Sequence, residues 1–308
     1  MASVQAPSAV VMIRPLAFRS NPETRADNGF QTGGGSVEEP GRATAEFDAV
    51  VASLRAEGVT VHVHEDDGSR DTPDSVFPNN WFSTHAGGHI AVYPMFPENR
   101  RRERRWDVIE QLKQDYRVQD VIDYSGLERD GLALEGTGAM VLDHIGRVAY
   151  VARSNRADPV ILERFCTHFG YEPMAFDARD ARGMRVYHTN VILTIGTGFA
   201  LICLDMIDDP DRRAEVAERL AEDGRDVIDL TPAQIDGFAG NALELAGRDG
   251  AVLALSARAH AVLSDAQRAR ITAHARLLPM PVPTIETAGG SIRCMLAGVH
   301  LSPRKAKP

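Results

Sequence analysis

Cysteine is scarce in this chain: Cys166, Cys203 and Cys294 are the whole supply, an odd number with no paired spacing. A disulfide framework is thereby excluded, and a reducing compartment is the simpler setting. Long apolar runs are missing too, and Met1 to Pro15 lacks the charged-then-apolar order of a signal peptide. The expectation is a cytoplasmic protein without a membrane partner. Positive charge is in deficit, with 34 Lys and Arg against 43 Asp and Glu and a formal charge of −9. That balance argues against nucleic acid as the main partner. No Gly-x-Gly-x-x-Gly turn opens a helix after the first strand-like segment, so a doubly wound sheet fits poorly. No cofactor is expected.

What is present is an ordinary globular balance, 44% hydrophobic and 25% charged over 308 residues. No Pro/Ser-rich linker or charge block divides the chain, so 1–308 reads as one domain, with 1–8 and 303–308 as flexible tails. Strand-like segments such as Ala9–Ile13, Val148–Val151 and Ala251–Ser256 alternate with helical ones such as Ala43–Ala56, Pro159–Phe169 and Asp265–Leu277. Pairs of strands with one helix between them recur at a spacing of roughly 50–60 residues, and about five such units fill the chain. This predicts a closed ring of αβ modules with a ligand site on its axis.

Cys294 follows a Gly-rich turn and an arginine, in Thr287-Ala-Gly-Gly-Ser-Ile-Arg-Cys. A thiol so placed can be reached and can ionise, which makes it a candidate nucleophile. Cys203, in an apolar run, and Cys166, in an amphipathic helix, read as core instead. Glu135 in Leu134-Glu-Gly and His188 in Val186-Tyr-His-Thr-Asn sit where apolar chain meets small or polar residues. On spacing alone, a Cys-His-Glu site and ordinary core and turn residues both stay open. His62 with His64, and His85 with His89, have metal-like spacing but no matching Cys or carboxylate partners. No metal is expected.

Four ordered stretches carry a resemblance: Phe77-Pro-Asn-Asn, Leu134-Glu-Gly-Thr-Gly, His188-Thr-Asn and Gly289-Gly-Ser-Ile-Arg-Cys. Together they resemble the guanidine-modifying pentein superfamily of arginine and agmatine deiminases, dimethylargininases and amidinotransferases. Met12-Ile-Arg-Pro, Asn21-Pro-Glu-Thr and Asn28-Gly-Phe-Gln bring the likeness nearest to the amidinotransferase-like, citrulline-utilisation hydrolase branch. The resemblance implies a five-bladed αβ propeller, the pentein fold. It also implies Cys294 as nucleophile, His188 as acid/base and Glu135 as third catalytic residue. Thiolate suits a resonance-stabilised ureido or guanidinium carbon, and an imidazole can protonate the departing nitrogen and then activate water.

Departures from the family pattern bear on substrate. Where deiminases present carboxylates, this chain has Asn80, Gly138 and Asn190. Amides suit a neutral ureido group, since Asn offers both a donor and an acceptor. Arg156, in a segment that resembles the dimethylargininases' Ser-x-Arg-Thr, and Arg101 are the candidates for binding an α-carboxylate. Asn21 and Asn28 lie in an N-terminal loop that the resemblance makes a lid. The expected reaction is hydrolysis of citrulline through a carbamoyl-thiol adduct to ornithine, ammonia and carbon dioxide. Arginine deiminase or dihydrolase, amidinotransferase or dimethylargininase activity, and a binding protein on the same fold are the rivals. A small amino acid is the expected partner, and homo-oligomer formation stays open.

Overall fold

Fifteen short strands share one wiring rule, and buried apolar runs flanked by turns are what the rule is built from. The computed structural model describes residues 4–33 and 39–304. β1 (Ala9–Pro15) runs parallel to β2 (Thr60–Asp66), the helix Glu39–Ala56 carrying the chain between them. β3 (Phe82–His85), β4 (His89–Val92) and β5 (Asp120–Asp123) form the next sheet. A third holds β6 (Met140–Asp143), β7 (Val148–Ala152) and β8 (Glu172–Phe176). The fourth consists of β9 (Leu193–Ile195), β10 (Phe199–Ile202) and β11 (Asp226–Asp229). The fifth has β12 (Leu243–Gly247), β13 (Gly250–Ser256) and β14 (Arg276–Met280). Finally β15 (Ala297–Gly298) pairs antiparallel with β1, Val10 opposite Gly298, and closes the ring.

In every sheet one antiparallel and one parallel pairing share a middle strand. A hairpin needs only a tight turn, whereas a parallel partner needs a crossover, here helical. The middle strands are therefore sealed on both faces: β7 and β10 are buried throughout. Three crossover helices begin on firm caps, with Asp158 accepting from the Val160 N–H, Asp209 from the Asp211 and Arg212 N–H groups, and Ser264 forming a capping box.

Three differences from the sequence expectation have physical causes. The helix expected over Asp265–Leu277 ends at Thr272, because Arg276–Met280 is drawn into a parallel ladder with β13, Val252 opposite Arg276. β3 looks like loop, Phe-Ser-Thr-His, yet all four residues are buried and Ser83 is bonded to both His85 and Tyr93. The expected tails are tied down where they are described. Gln5 Nε2 donates to Leu142 O at 3.0 Å and Ile195 O at 3.1 Å, linking two sheets, and Arg304 Nε donates to Tyr116 O at 2.9 Å. The rest of that expectation, residues 1–3 and 305–308, lies outside the described residues. Among the described residues no helix is long and apolar enough to cross a membrane, and no group of three or more His, Cys, Asp or Glu could hold a metal.

Three histidines pack inside the ring. His144 and His300 stack with centroids 3.9 Å apart, and His85 lies against Phe169 at 4.2 Å. Burial pushes all three below the usual histidine range, His300 to about 4. The unfolded chain therefore binds more protons than the folded one between pH 6.5 and about 4, so stability falls as pH drops through that window. Thermal melts should show Tm falling from pH 7 to pH 5, with a shallower fall in His300→Gln. A Tm indifferent to pH over this range would show that these rings do not resist protonation.

Candidate active site

The turn that leads into each sheet's antiparallel first strand places one residue at the same end of the ring, polar in four of the five. Asn80 precedes β3, Gly138 precedes β6, Asn190 precedes β9, Asn241 precedes β12 and Cys294 precedes β15. Because the five turns occupy the same place in each repeat, residues far apart in sequence converge. Short helical turns at Pro78–Asn80, Thr189–Val191 and Ile292–Met295 fix three of them. Gly138 has no room for a side chain: a Cβ there would lie 2.1 Å from Asn80 Nδ2 and 2.9 Å from His188 Nδ1. Gly136, at φ +48°, lies so near Asn79 O that a Cβ would come within 2.5 Å.

Cys294 Sγ accepts N–H bonds from Asn190 Nδ2 and Asn241 Nδ2, each at 3.3 Å. Burial pushes the Cys166 and Cys203 thiols up to about 12. His188 Nε2 donates to Glu135 Oε2 at 2.8 Å. That bond leaves Nδ1, on the Gly138 and Asn80 side, as the nitrogen free to move a proton. Burial lowers His188 to about 4 even though Glu135 works the other way, so the ring is neutral at physiological pH. Burial also pushes the Glu135 carboxyl up, but Arg156, His188 and Arg100 together hold it well below the usual carboxylate range.

Arg156 is buried over the Tyr187 ring, 4.9 Å from its centroid, and reaches Glu135 Oε2 at 3.4 Å. Its Nε and NH2 are taken by the carboxylate of Asp27 at 3.0 and 2.5 Å. Asp27 sits on the N-terminal loop with Asn28, whose Nδ2 donates to Ala288 O at 3.4 Å beside the pocket. Asn21 stands behind the lining instead: it donates to Asp74 Oδ2 at 2.7 Å and exchanges bonds with Asn99. Asp74 faces the pocket with Oδ1 unpartnered among the described residues. The space enclosed is small, about 10 Å³.

Arg101 is not part of the pocket. It is partly exposed, donates to Met95 O at 3.1 Å and pairs with Glu128 at 3.7 Å, while its neighbour Arg100 turns inward to within 3.5 Å of Glu135. The start of a short helical turn spreads adjacent arginines to opposite sides, and an unbroken Arg run gives no phase for choosing between them. Arg293 likewise turns away from the thiol, toward the axis behind it. Trp81 fills core. The sequence reading passed over Asn241, Asp74, Asp27 and Arg100. For Asn241 a signal existed, its position just ahead of a strand, the register shared by Asn80 and Asn190.

Among solved structures, the chain is similar to the N-terminal domain of ArgZ bound to substrate, an arginine dihydrolase from the ornithine-ammonia cycle in Cyanobacteria. That likeness has 15% identity and a TM-score of 0.73, over 94% of this chain and 97% of the other. Unliganded AgrE gives 18% identity and a TM-score of 0.74, over 97% of this chain and 40% of its own. A DDAH mutant from Pseudomonas aeruginosa complexed with citrulline gives 13% and 0.64, over 95% and 99%. No curated protein matches in sequence. The family described as N,N dimethylarginine dimethylhydrolase, eukaryotic, matches residues 14–301, and with the five like-wired sheets this places the chain in that family and in the guanidine-modifying pentein superfamily.

Proposed function

We propose that this hydrolase acts on the ureido carbon of citrulline, giving ornithine, ammonia and carbon dioxide. The observation that carries the reading is the pair of unsatisfied amide atoms beside the thiol. Asn80 Nδ2 and Asn190 Oδ1 are buried without partners among the described residues. One free donor and one free acceptor match a ureido group, which offers a carbonyl oxygen and N–H groups. A guanidinium offers donors alone. The carboxylate nearest the chemistry, Glu135, is already engaged by His188, Arg156 and Arg100.

In this reading the Cys294 thiolate attacks the ureido carbon. The C–N bond to the ornithine nitrogen breaks, and that nitrogen takes from His188 the proton that the Cys294 thiol gave to the ring on ionising. Neutral His188 then draws a proton from water, which attacks the carbamoyl thioester. Carbamic acid leaves, the Cys294 thiolate is restored, and the acid decomposes to ammonia and carbon dioxide. Glu135 holds the ring by Nε2 and offsets the charge it carries between steps. The unpartnered Asp74 oxygen suits an α-ammonium group, and Arg156 suits the α-carboxylate once that carboxylate displaces Asp27. The whole of 1–308 acts as one catalytic unit.

Arginine is the second reading, and a specific observation favours it. Among the described residues the carboxyl groups of Asp27, Asp74, Glu103 and Glu135 meet the guanidiniums of Arg100 and Arg156, four acids to two cations, with burial raising Asp74 and pushing Glu103 up to about 7. Competition assays with both substrates separate the two. Wild type should show the higher kcat/KM for citrulline, and Asn80→Asp or Asn190→Asp should shift the ratio toward arginine. A wild-type preference for arginine overturns the citrulline assignment. Cys294→Ala should abolish turnover of either substrate.

Arg156→Ala should weaken citrulline far more than its decarboxylated analogue, by about 2–5 kcal/mol if a desolvated charge pair is lost. Equal penalties on both compounds would show that Arg156 serves Glu135 and Asp27 alone.

A further inference from the structure

Behind the active site, on the same axis, lies a second cavity that the proposed reaction does not use. All five first strands line it: β3 through Phe82 to Thr84, β6 through Leu142, β9 through Leu193 to Ile195, β12 through Leu243 and β15 through Ala297 and Gly298. The guanidinium of Arg293, next in sequence to the nucleophile, projects into it. Its one hydrogen-bond partner among the described residues is Leu296 O, accepting from NH1 at 3.0 Å, and no carboxylate comes within ion-pair distance. Arg293 is half-buried, and a partly desolvated cation gains from a counter-charge. The fully buried arginines have one. Arg100, Arg156 and Arg225 are each buried and each meet a carboxylate, Arg225 pairing with Asp143 at 2.6 Å.

The cavity also has a way in. His144 and His300 line both it and a wider vestibule of about 500 Å³ at the opposite face from the active site, where Arg117 and Gln119 form part of the rim. Neither histidine adds positive charge, since burial, helped by Arg293 itself, keeps both rings neutral. The hydroxyls are spoken for: Thr84 and Thr194 donate to the backbone carbonyls of Gly298 and Gly240. What remains is a single cation in a polar recess of about 40 Å³. A water needs roughly 10–15 Å³ of such space, so a halide or nitrate fits and a nucleotide does not.

We propose that this axial recess is a binding site for a small inorganic anion, held by Arg293 and reached past His144 and His300. The site is coupled to catalysis by charge. Although the Arg293 guanidinium points away into the recess, its charge and that of a Cys294 thiolate attract; an anion on Arg293 offsets that attraction and slows reaction at the sulfur. The other titratable groups lining the pocket with the thiol do not change with the anion: His188 is neutral, burial holds the Tyr187 hydroxyl well above its usual range, and Asp74, Arg100 and Arg156 meet opposite charges. The reaction thereby acquires an inhibitor site on the far side of the ring from its substrate.

The test uses the full chain, with bromide as the probe and gluconate, too large for the recess, keeping ionic strength constant. Alkylation of Cys294 by chloroacetamidine reads thiolate without any substrate, so it is independent of the citrulline assignment. Bromide should slow alkylation saturably, about tenfold for a one-unit rise in thiol pKa. The effect should persist in Arg293→Lys and in Arg156→Gln, which removes the competing cation of the substrate pocket, and vanish in Arg293→Gln. Anomalous scattering from bromide-soaked crystals should place the ion at Arg293, a readout that stands even if Arg293→Gln fails to fold. No saturable effect in wild type, an undiminished effect in Arg293→Gln, or bromide found only at Arg156 would each overturn the proposal.

Discussion

Glu135 is the charge on which the site depends. Its carboxylate is fully buried, and its Oε2 is shared by His188, Arg156 and Arg100 at 2.8, 3.4 and 3.5 Å, while Oε1 accepts from the Phe96 N–H. Three elements are held in register by one anion. Desolvation alone would protonate such a group, and only the surrounding cations keep it ionised. In turn the ionised carboxylate fixes which nitrogen of His188 carries the proton, and so which one faces the reaction. Replacing Glu135 would leave two arginines without their common partner. Losing one side of a buried pair typically costs about 3–5 kcal/mol.

Ring closure is the constraint that brings that charge to the thiol. Cys294 sits near the end of the chain and Asp27 near its start, and the pairing of β15 with β1 brings both ends of the chain to one sheet. The five repeats then place equivalent turns around a common axis. Five turn residues thereby converge at one end of the ring. They are two asparagines on the thiol, a third asparagine and a glycine facing the histidine, and the thiol itself. The same axis continues behind the turns as a polar recess, so the two ends of the ring are joined through consecutive residues, Arg293 and Cys294.

Local pattern was enough for much of this. Alternating apolar segments with capped helices announced a ring of αβ units, since hairpin strands and amphipathic helices carry their periodicity in adjacent residues. A thiol after Gly289-Gly290, with Glu135 and His188 at strand ends, singled out three residues that the fold brings together, because glycine turns and strand ends are where side chains can reach a ligand. Tertiary structure decided the rest. Arg100 rather than Arg101 faces inward because the phase of a short turn is set by what it packs on, not by its own sequence. Asp27 reaches Arg156 across 129 residues, a pairing of long-range charges that no local spacing encodes. Arg276–Met280 became strand instead of helix because β13 offered an open edge. Helix and strand tendencies are properties of neighbours in sequence, whereas ion pairs and ladder partners belong to neighbours in space.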